Sequence, residues 1–288
     1  MRNTWLSIAV FVCAGICRNV SPEVQSRSTS PPAATYLGFD RNEYPGDGSL
    51  AALRRTFSYS GYWLNTPPRA TRNTWLGHRK AVEAAGFGFL ILFNGRLDID
   101  LKKTPDASAL GKSDASAAVA VARKEGFPAR AIIFLDQEEG GRMLPEQRAY
   151  IHAWMDGVNG SGFRAGIYCS GIAAPEVQGV PVVTAEDIRE NAGARDIAFW
   201  VVNDGCPPSP GCAFPKPAPA PSRSGVAFAD VWQFAQSPKR RDVAGGCPAN
   251  YDPDGSCYPP GIARETHLFV DLNTARSGDP SHGRSRTR

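Results

Sequence analysis

The sequence predicts an α/β fold, a closed TIM-like barrel of eight strands. Short apolar, β-rich runs alternate with helical stretches through the first two-thirds of the chain, and eight such runs are present in all. Strands that alternate with helices form parallel βαβ units. The 288 residues, 42% hydrophobic and 21% charged, are enough for one large barrel core. An open, doubly wound sheet is the alternative architecture.

The first six strands alternate with five helices. Expected strands cover 35–40, 60–64, 87–93, 130–136, 164–169 and 196–203. Expected helices lie near 49–56, 75–85, 107–124, from Pro145 onward and near 184–191. Pro145 suits a first helical position, and Thr184 can form a cap with Asp187 three residues on. Each of the first five strands is thus followed by a helix.

Long loops replace helices in the last part of the barrel. Residues 206–224 form a proline-rich loop that cannot continue a helix. Strand seven is expected at 230–235, a second Pro/Gly-rich loop at 237–264, and strand eight at 267–272. Loops therefore join the last three strands.

The N-terminus has the pattern of a targeting segment. Arg2 precedes an apolar run over residues 6–16, which is about half the length needed to span a bilayer. We therefore interpret residues 1–17 as a secretory signal peptide, with lipid attachment at Cys17 as the alternative. We expect a secreted or cell-envelope protein with no stable membrane span.

The two ends of the chain also carry a net positive charge. Residues 18–34 and 276–288 are rich in Ser, Pro and Arg, so we expect a disordered linker and a disordered basic tail around a barrel domain at 35–275. Residues 1–30 carry a net charge of +2 and residues 276–288 carry +3, so the barrel between them carries −1 of the chain's net +4 and is nearly neutral. A nucleic-acid-binding surface needs a basic stripe on the fold, and no nucleic-acid partner is expected.

The five cysteines beyond the N-terminal segment indicate disulfide-stapled loops. In an oxidising compartment we expect two local pairs, Cys206–Cys212 and Cys247–Cys257, one in each proline-rich loop. Cys169 lies in an apolar strand and is expected to be a buried thiol. The spacings do not match zinc ribbons and the four histidines are scattered, so no metal is expected. No G-x-G-x-x-G motif follows strand one, and no other cofactor is expected.

Four acidic residues fall at the C-terminal ends of predicted strands, where barrels of this type carry their active sites. Asp40 ends strand one, Asp136 and Glu138 end strand four, and Asp271 lies near the end of strand eight. Barrel closure brings strands one and eight together. Asp136 and Glu138, two residues apart, point the same way and are separated by about 6.5 Å, within the roughly 5–9.5 Å that glycosidase carboxyls require.

Repulsion within this group should raise at least one pKa and leave a proton donor beside a charged partner. For any one of the acids, capping a turn is the alternative role.

Aromatic and amide side chains near the same strand ends are candidate sugar contacts. The residues that we expect to contact a sugar are Tyr62, Phe93, Asn94, Tyr168, Trp200, Asn203, Trp232 and Gln233. Aromatic rings can cover the apolar faces of sugar rings, and amides can bond to hydroxyls. Core packing is the alternative for each aromatic residue.

At these residues the sequence resembles glycoside hydrolase family 25, the lysozyme-like muramidases. It is more similar still to the secreted glycoside-hydrolase-like domain family of unknown function related to it. The matching pieces, in the family's order, are GFD at 38–40, DQE at 136–138, GIY at 166–168, FWVVND at 199–204, WQF at 232–234 and VDLN at 270–273. The resemblance implies a barrel whose last three strands lack helices.

The resemblance also implies roles for the four acids. Glu138 would be the general acid/base. Asp136 would stabilise the transition state, orient an acetamido group or act as nucleophile. Asp40 and Asp271 would hold the sugar and tune the pair. The implied substrate is peptidoglycan or another amino-sugar polymer.

We therefore expect a secreted, monomeric glycoside hydrolase that acts on a cell-wall polysaccharide by carboxylate acid/base catalysis. The alternative is a non-catalytic glycan-binding protein of the cell envelope on the same barrel. An interaction module that uses the disulfide-bearing loops is a third possibility.

Overall fold

Eight strands form a closed barrel in the computed structural model, which describes residues 34–176, 179–240 and 250–285. The barrel strands are β1 (Tyr36–Asp40), β2 (Tyr59–Trp63), β3 (Gly88–Asn94), β4 (Ile132–Asp136), β5 (Arg164–Ser170), β8 (Ile197–Val202), β9 (Val231–Ala235) and β10 (Asp271–Ala275). A separate pair of two-residue strands is formed by β6 (Ala173–Ala174) and β7 (Val182–Val183). Around the barrel the order is β1-β10-β9-β8-β5-β4-β3-β2, which confirms the predicted fold class.

Helices follow the first five barrel strands. They are α1 (Asp47–Arg54), α2 (Arg79–Ala84), the one-turn α3 (Asp98–Leu101), α4 (Ala107–Glu125), α5 (Pro145–Asn159) and α6 (Thr184–Asn191). All but α3 were expected. In the described residues of the β8–β9 and β9–β10 connections the only helices are single turns of 3₁₀ helix, at 221–224 and 264–266, so loops join the last three strands as predicted. Within the described ranges no helix is long and apolar enough to cross a membrane.

Local sequence explains the limits of α4 and its close packing on α5. The Asp106 side chain accepts a hydrogen bond from the Ala109 amide at 2.9 Å and caps the start of α4, and Gly126 ends it in the left-handed conformation, φ 84°. At Gly111, a Cβ atom would lie 2.3 Å from the carbonyl oxygen of Tyr150 in α5. Glycine therefore lets the two helices approach each other.

The last strand differs from the prediction in position and direction. Strand eight was expected at 267–272 within a parallel sheet, but β10 begins at Asp271 and pairs antiparallel with both β1 and β9. A parallel neighbour needs a long crossover, usually a helix, whereas an antiparallel one does not. Because β10 runs in reverse, its first residue lies at the end of the barrel where β1 finishes, and Asp271 is in register with Asp40.

The prediction of a disordered tail is also wrong for its described part, because residues 276–285 pack against the N-terminal end of the barrel. The paired register of β3 and β4 begins at Ile91 and Ile133. Below that point Ser281 bonds to both strands: its amide donates to the Phe89 carbonyl at 2.9 Å, and its carbonyl accepts from the Ile132 amide at 2.8 Å. The arginine-rich composition therefore did not reveal that the backbone of this segment bonds to two strands of the barrel.

The predicted signal peptide at 1–17, and the linker at 18–34 except for its last residue, lie outside the described residues.

The disulfide prediction is wrong in its pairing. Cys212 is bonded to Cys257 and so joins the β8–β9 loop to the β9–β10 loop. Cys206 is also disulfide-bonded, and Cys247 lies outside the described residues. Closeness in sequence failed as a guide because the two loops fold against each other. Cys169 is a free, buried thiol, as expected.

Candidate active site

A cavity of about 500 Å³ opens at the end of the barrel where the parallel strands finish. The sequence-predicted residues that line it are Asp40, Asp136, Glu138, Asp271, Tyr168, Trp200 and Gln233. They come from β1, β4 or the residues just after it, β5, β8, β9 and β10. Alternation along each strand explains why these residues line the cavity, since every second side chain faces the barrel interior.

A glycine makes room for the first acid of this group. A Cβ atom at Gly61 would lie 2.7 Å from the Cβ of Asp40, far inside the contact distance of two carbons. The absence of a side chain on β2 at this point therefore allows Asp40 to sit inside the barrel at the floor of the cavity.

Asp40 and Asp271 form a pair of adjacent carboxyls. The Gln233 amide nitrogen donates to Asp40 Oδ1 at 2.9 Å and lies 3.4 Å from Asp271 Oδ2. Asn273 Nδ2 donates to Asp40 at 2.6 Å, and the Ser237 amide donates to Asp271 at 2.6 Å. These contacts hold both carboxyls in fixed positions.

The pair also has shifted proton affinities. Burial raises the pKa of Asp40 to about 6, although the bonds from Asn273 and Gln233 lower it in part. Burial and the neighbouring Asp40 charge raise the pKa of Asp271 well above its ordinary value. Both carboxyl pKa values are therefore raised, but burial is the main cause, and repulsion from a neighbouring acid adds to it at Asp271.

Asp136 is the last residue of β4 and Glu138 lies two residues further on, but the environments of the two carboxyls differ. Asp136 is buried, and its Oδ1 has no hydrogen-bond partner among the described residues. Burial, followed by the charges of Glu138 and Asp40, raises the pKa of Asp136 well above its ordinary value. The Glu138 side chain is 39% exposed and lies 3.9 Å from the guanidinium of Arg69. The Asp136 carboxyl thus favours its protonated form, and the Glu138 carboxyl reaches the open part of the cavity.

Two amides are oriented by aromatic donors. The Tyr168 hydroxyl donates to Gln233 Oε1 at 2.7 Å, which turns the Gln233 nitrogen toward the acids. Trp200 Nε1 donates to Asn273 Oδ1 at 2.9 Å, which likewise turns the Asn273 nitrogen toward Asp40. Burial, with nearby carboxylate charges, raises the pKa of Tyr168, so its hydroxyl stays protonated. The network therefore presents donors to Asp40 rather than acceptors.

Three of the predicted aromatic contacts face outward from the barrel instead of into the cavity. The Tyr62 hydroxyl donates to Glu125 at the end of α4, and Phe93 packs on Trp154 of α5 with ring centroids 5.2 Å apart. Trp232 is fully buried and its Nε1 donates to a backbone carbonyl. All three precede or follow an inward-facing residue on their strands, so the two-residue period turns them outward.

The two predicted asparagine contacts bond to nearby backbone. Asn94 Nδ2 donates to the carbonyl of Thr66 at 3.0 Å, and Asn203 Nδ2 donates to the carbonyl of Ser224 at 2.7 Å. Neither lines the cavity. They hold loops beside the barrel rather than the predicted substrate.

Four residues that were not among the predicted site residues belong to this site. Trp63 ends β2 and faces inward, beside the outward-facing Tyr62, and Asn273 follows Asp271 by two residues on β10. Strand alternation from Asp271 could have identified Asn273. Gln236 donates to the Tyr168 hydroxyl at 3.2 Å, and Arg69 lines the cavity from a loop. No periodic signal in the sequence marks these two.

Metal chemistry has no candidate ligand group in the described part of the chain. Nowhere in residues 34–176, 179–240 and 250–285 do three or more His, Cys, Asp or Glu side chains form a cluster that could hold a metal ion. The arrangement in the cavity is instead a set of carboxyls, amides and aromatic rings.

Residues 59–205, about half of the chain, match the protein-family model described as the Rv2525c-like, glycoside hydrolase-like domain. The chain belongs to this family. The match confirms the resemblance to a glycoside-hydrolase-like family that the motifs indicated. A search of curated protein sequences gave no match.

Solved structures share the fold of this Rv2525c-like chain. An uncharacterised protein from B. stearothermophilus has 20% identity and a TM-score of 0.53, with 83% of this chain and 95% of that chain covered. The Mycobacterium tuberculosis Tat-secreted protein Rv2525c, in complex with HEPES, has 15% identity and a TM-score of 0.51, with 87% and 98% covered. The Clostridium perfringens spore cortex lytic enzyme SleM has 17% identity and a TM-score of 0.48, with 86% and 69% covered. At these identities the first two similarities show the fold.

Proposed function

We propose that this protein is a secreted glycoside hydrolase that cleaves a cell-wall glycan of the peptidoglycan type by carboxylate acid/base catalysis. The observation that carries the proposal is the cavity in which Asp136 and Glu138 leave one strand end and share the space with the Asp40–Asp271 pair. The chain's membership of a glycoside-hydrolase-like family and its motif resemblance to muramidases support this class of reaction and substrate.

Glu138 is the proposed general acid/base. Its carboxyl is partly exposed inside the cavity, so it can meet a glycosidic oxygen and a water molecule in turn. Glycoside hydrolysis needs one carboxyl that gives a proton to the leaving oxygen and a second group that stabilises the positive sugar ring.

Asp136 is proposed to act as a protonated donor toward the substrate. Burial raises its pKa, and one of its oxygens lacks a protein partner. A carboxylic acid kept neutral by its surroundings can donate a hydrogen bond at neutral pH, and the carbonyl of an acetamido group is a suitable acceptor. Asp40, held by Gln233 and with a pKa of about 6, would then supply negative charge at neutral pH, and Asp271 would tune it.

The test is the release of reducing ends from purified peptidoglycan by the wild type and the Glu138→Gln variant. Loss of a general acid is expected to lower turnover by about 10²- to 10⁴-fold. Glu186→Gln is the matched control, because Glu186 is an exposed residue of α6 that does not line the cavity. Thermal unfolding of all three proteins checks that the fold is intact.

Unchanged turnover in Glu138→Gln would refute the assignment of Glu138. If neither wild type nor variant releases reducing ends but both are retained on insoluble peptidoglycan, the protein is a glycan-binding protein on a hydrolase barrel.

Secretion is tested by expressing the full chain and sequencing the N-terminus of the protein recovered outside the cytoplasm. Cleavage after residue 17 supports the proposed signal peptide, and a lipid-modified N-terminal Cys17 supports the lipoprotein alternative. Retention of the uncleaved chain in the cytoplasm contradicts both. Size-exclusion chromatography with light scattering tests the expected monomer.

A further inference from the structure

Arg69 lies at the rim of the cavity, beside one of its acids. Arg69 belongs to the loop between β2 and α2, its side chain is 88% exposed, and it lines the cavity together with Glu138. The motifs did not single it out, and the proposed acid/base reaction gives it no task. Its position beside the proposed general acid therefore calls for a functional explanation.

The loop holds Arg69 in an unfavourable backbone conformation. Its φ is +61°, in a region that residues other than glycine seldom occupy. Bonds on both sides fix the loop: Asn42 Nδ2 donates to the Pro68 carbonyl at 2.8 Å, and Asn73 Nδ2 donates to the Trp63 carbonyl at 2.8 Å. The backbone thus directs Arg69 to this place even though its side chain is surrounded mainly by solvent.

The contact between Arg69 and Glu138 is a weak one. The closest nitrogen and oxygen atoms are 3.9 Å apart, and both side chains are substantially exposed. Exposed ion pairs of this kind contribute little free energy. A guanidinium forms stronger, bidentate bonds to a carboxylate that it meets in the correct plane, so a second carboxylate can replace Glu138.

The floor of the cavity is compatible with an anionic ligand at the rim. Burial raises the pKa values of Asp40, Asp136 and Asp271, so near neutral pH they carry less negative charge than three ordinary aspartates. Arg240 also lines the cavity. Repulsion of a substrate anion is therefore smaller than the number of acids suggests.

We propose that Arg69 is a specificity-determining residue that binds a carboxylate on the sugar in the cavity, so that the preferred substrate is an acidic glycan. The substrate carboxylate replaces Glu138 as the partner of the Arg69 guanidinium. Glu138 is then free to contact the glycosidic oxygen. This inference rests on the proposed function, since it concerns the substrate of the same site.

The test uses two soluble glycan substrates that differ only in charge. Peptidoglycan strands stripped of their stem peptides carry free lactyl carboxylates, and the same strands after coupling with methylamine carry neutral amides. The constants kcat and KM are measured on both substrates for the wild type, Arg69→Gln and Arg72→Gln. Arg72 is an exposed arginine of the same loop that does not line the cavity.

We expect the wild type to prefer the acidic strands by about 10- to 100-fold in kcat/KM, the size of effect that charge-assisted hydrogen bonds produce. Arg69→Gln should lose most of that preference, chiefly through a higher KM on acidic strands, while Arg72→Gln behaves as the wild type. Equal loss on both substrates in Arg69→Gln, or no preference in the wild type, would overturn the inference and leave the proposed function intact.

If the wild type cleaves neither substrate, the proposed hydrolase function fails. The inference about Arg69 is then tested by measuring the binding of the same strands by calorimetry. Tighter binding of the acidic strands that disappears in Arg69→Gln would still support the inference. Equal affinity of both strands would refute it.

Discussion

Replacing Ser281 by alanine should destabilise the barrel from a position that composition marks as a disordered tail. The Ser281 side chain is fully buried, and its hydroxyl oxygen accepts a hydrogen bond from the Ile91 amide of β3 at 2.9 Å. Alanine keeps the backbone bonds of residue 281 to Phe89 and Ile132 but removes that acceptor. The substitution therefore isolates one side-chain contact between the tail and the sheet.

The expected cost follows from the burial of Ile91. Its amide would be left without a partner inside the sheet, and an unsatisfied buried donor costs about 1–3 kcal/mol. Asp279→Ala should cost about 2–4 kcal/mol, since its carboxylate accepts from the Phe89 amide at 2.8 Å and from the Gly283 amide at 3.1 Å, and bonds to a charged group contribute about 1.5–3 kcal/mol.

Urea unfolding followed by tryptophan fluorescence measures the free energy of unfolding of each variant. Ser116→Ala is the control, because Ser116 is exposed on α4 and its hydroxyl bonds only to a carbonyl of its own helix; a change within about 0.5 kcal/mol is expected there. If Ser281→Ala and Asp279→Ala are as stable as Ser116→Ala, residues 276–285 do not pack against the N-terminal end of the barrel.

Three further predictions concern the acids, the amide network and the loops. The folded-state pKa of Asp40, about 6, lies above its ordinary value of 3.8, so its stabilising contribution is full below about pH 4 and is lost as the pH rises through 6. Between pH 4 and 8 the wild type should lose on the order of 3 kcal/mol more than Asp40→Asn in urea unfolding; parallel pH profiles would contradict this. Asn273→Ala removes a bond that lowers the pKa of Asp40 and a partner of Trp200, so an NMR titration should show the Asp40 pKa rising, and an unmoved value would exclude the contact. Replacing Cys212 and Cys257 by serine should cost about 2–4 kcal/mol, and a non-reduced peptide map of the wild type should link these two cysteines, which a Cys206–Cys212 peptide would disprove.

Regular periodicity in the sequence determined the barrel and most of its acidic site. Strands and helices follow from two short-range repeats, of two and 3.6 residues, that side chains impose on the local backbone. The acids could be placed because a residue that ends a parallel strand lies at one known end of a barrel. Asp271 was placed correctly although the direction of its strand was not, because β10 starts where a parallel strand would have finished.

Contacts between distant segments decided the rest, and a single sequence contains no periodic signal for them. The order of aromatic and apolar residues did not show that Trp63 faces inward and Tyr62 outward, because one residue of strand register reverses the two faces. The link between Cys212 and Cys257 depends on how two loops fold against each other.

The same reason applies to the tail at 276–285 and to Arg69. Each is defined by what it contacts: the N-terminal ends of β3 and β4, where the two strands do not pair, in one case, and the carboxyl of Glu138 in the other. Local sequence thus determined which residues could take part in the site, and tertiary packing decided which of them face the cavity.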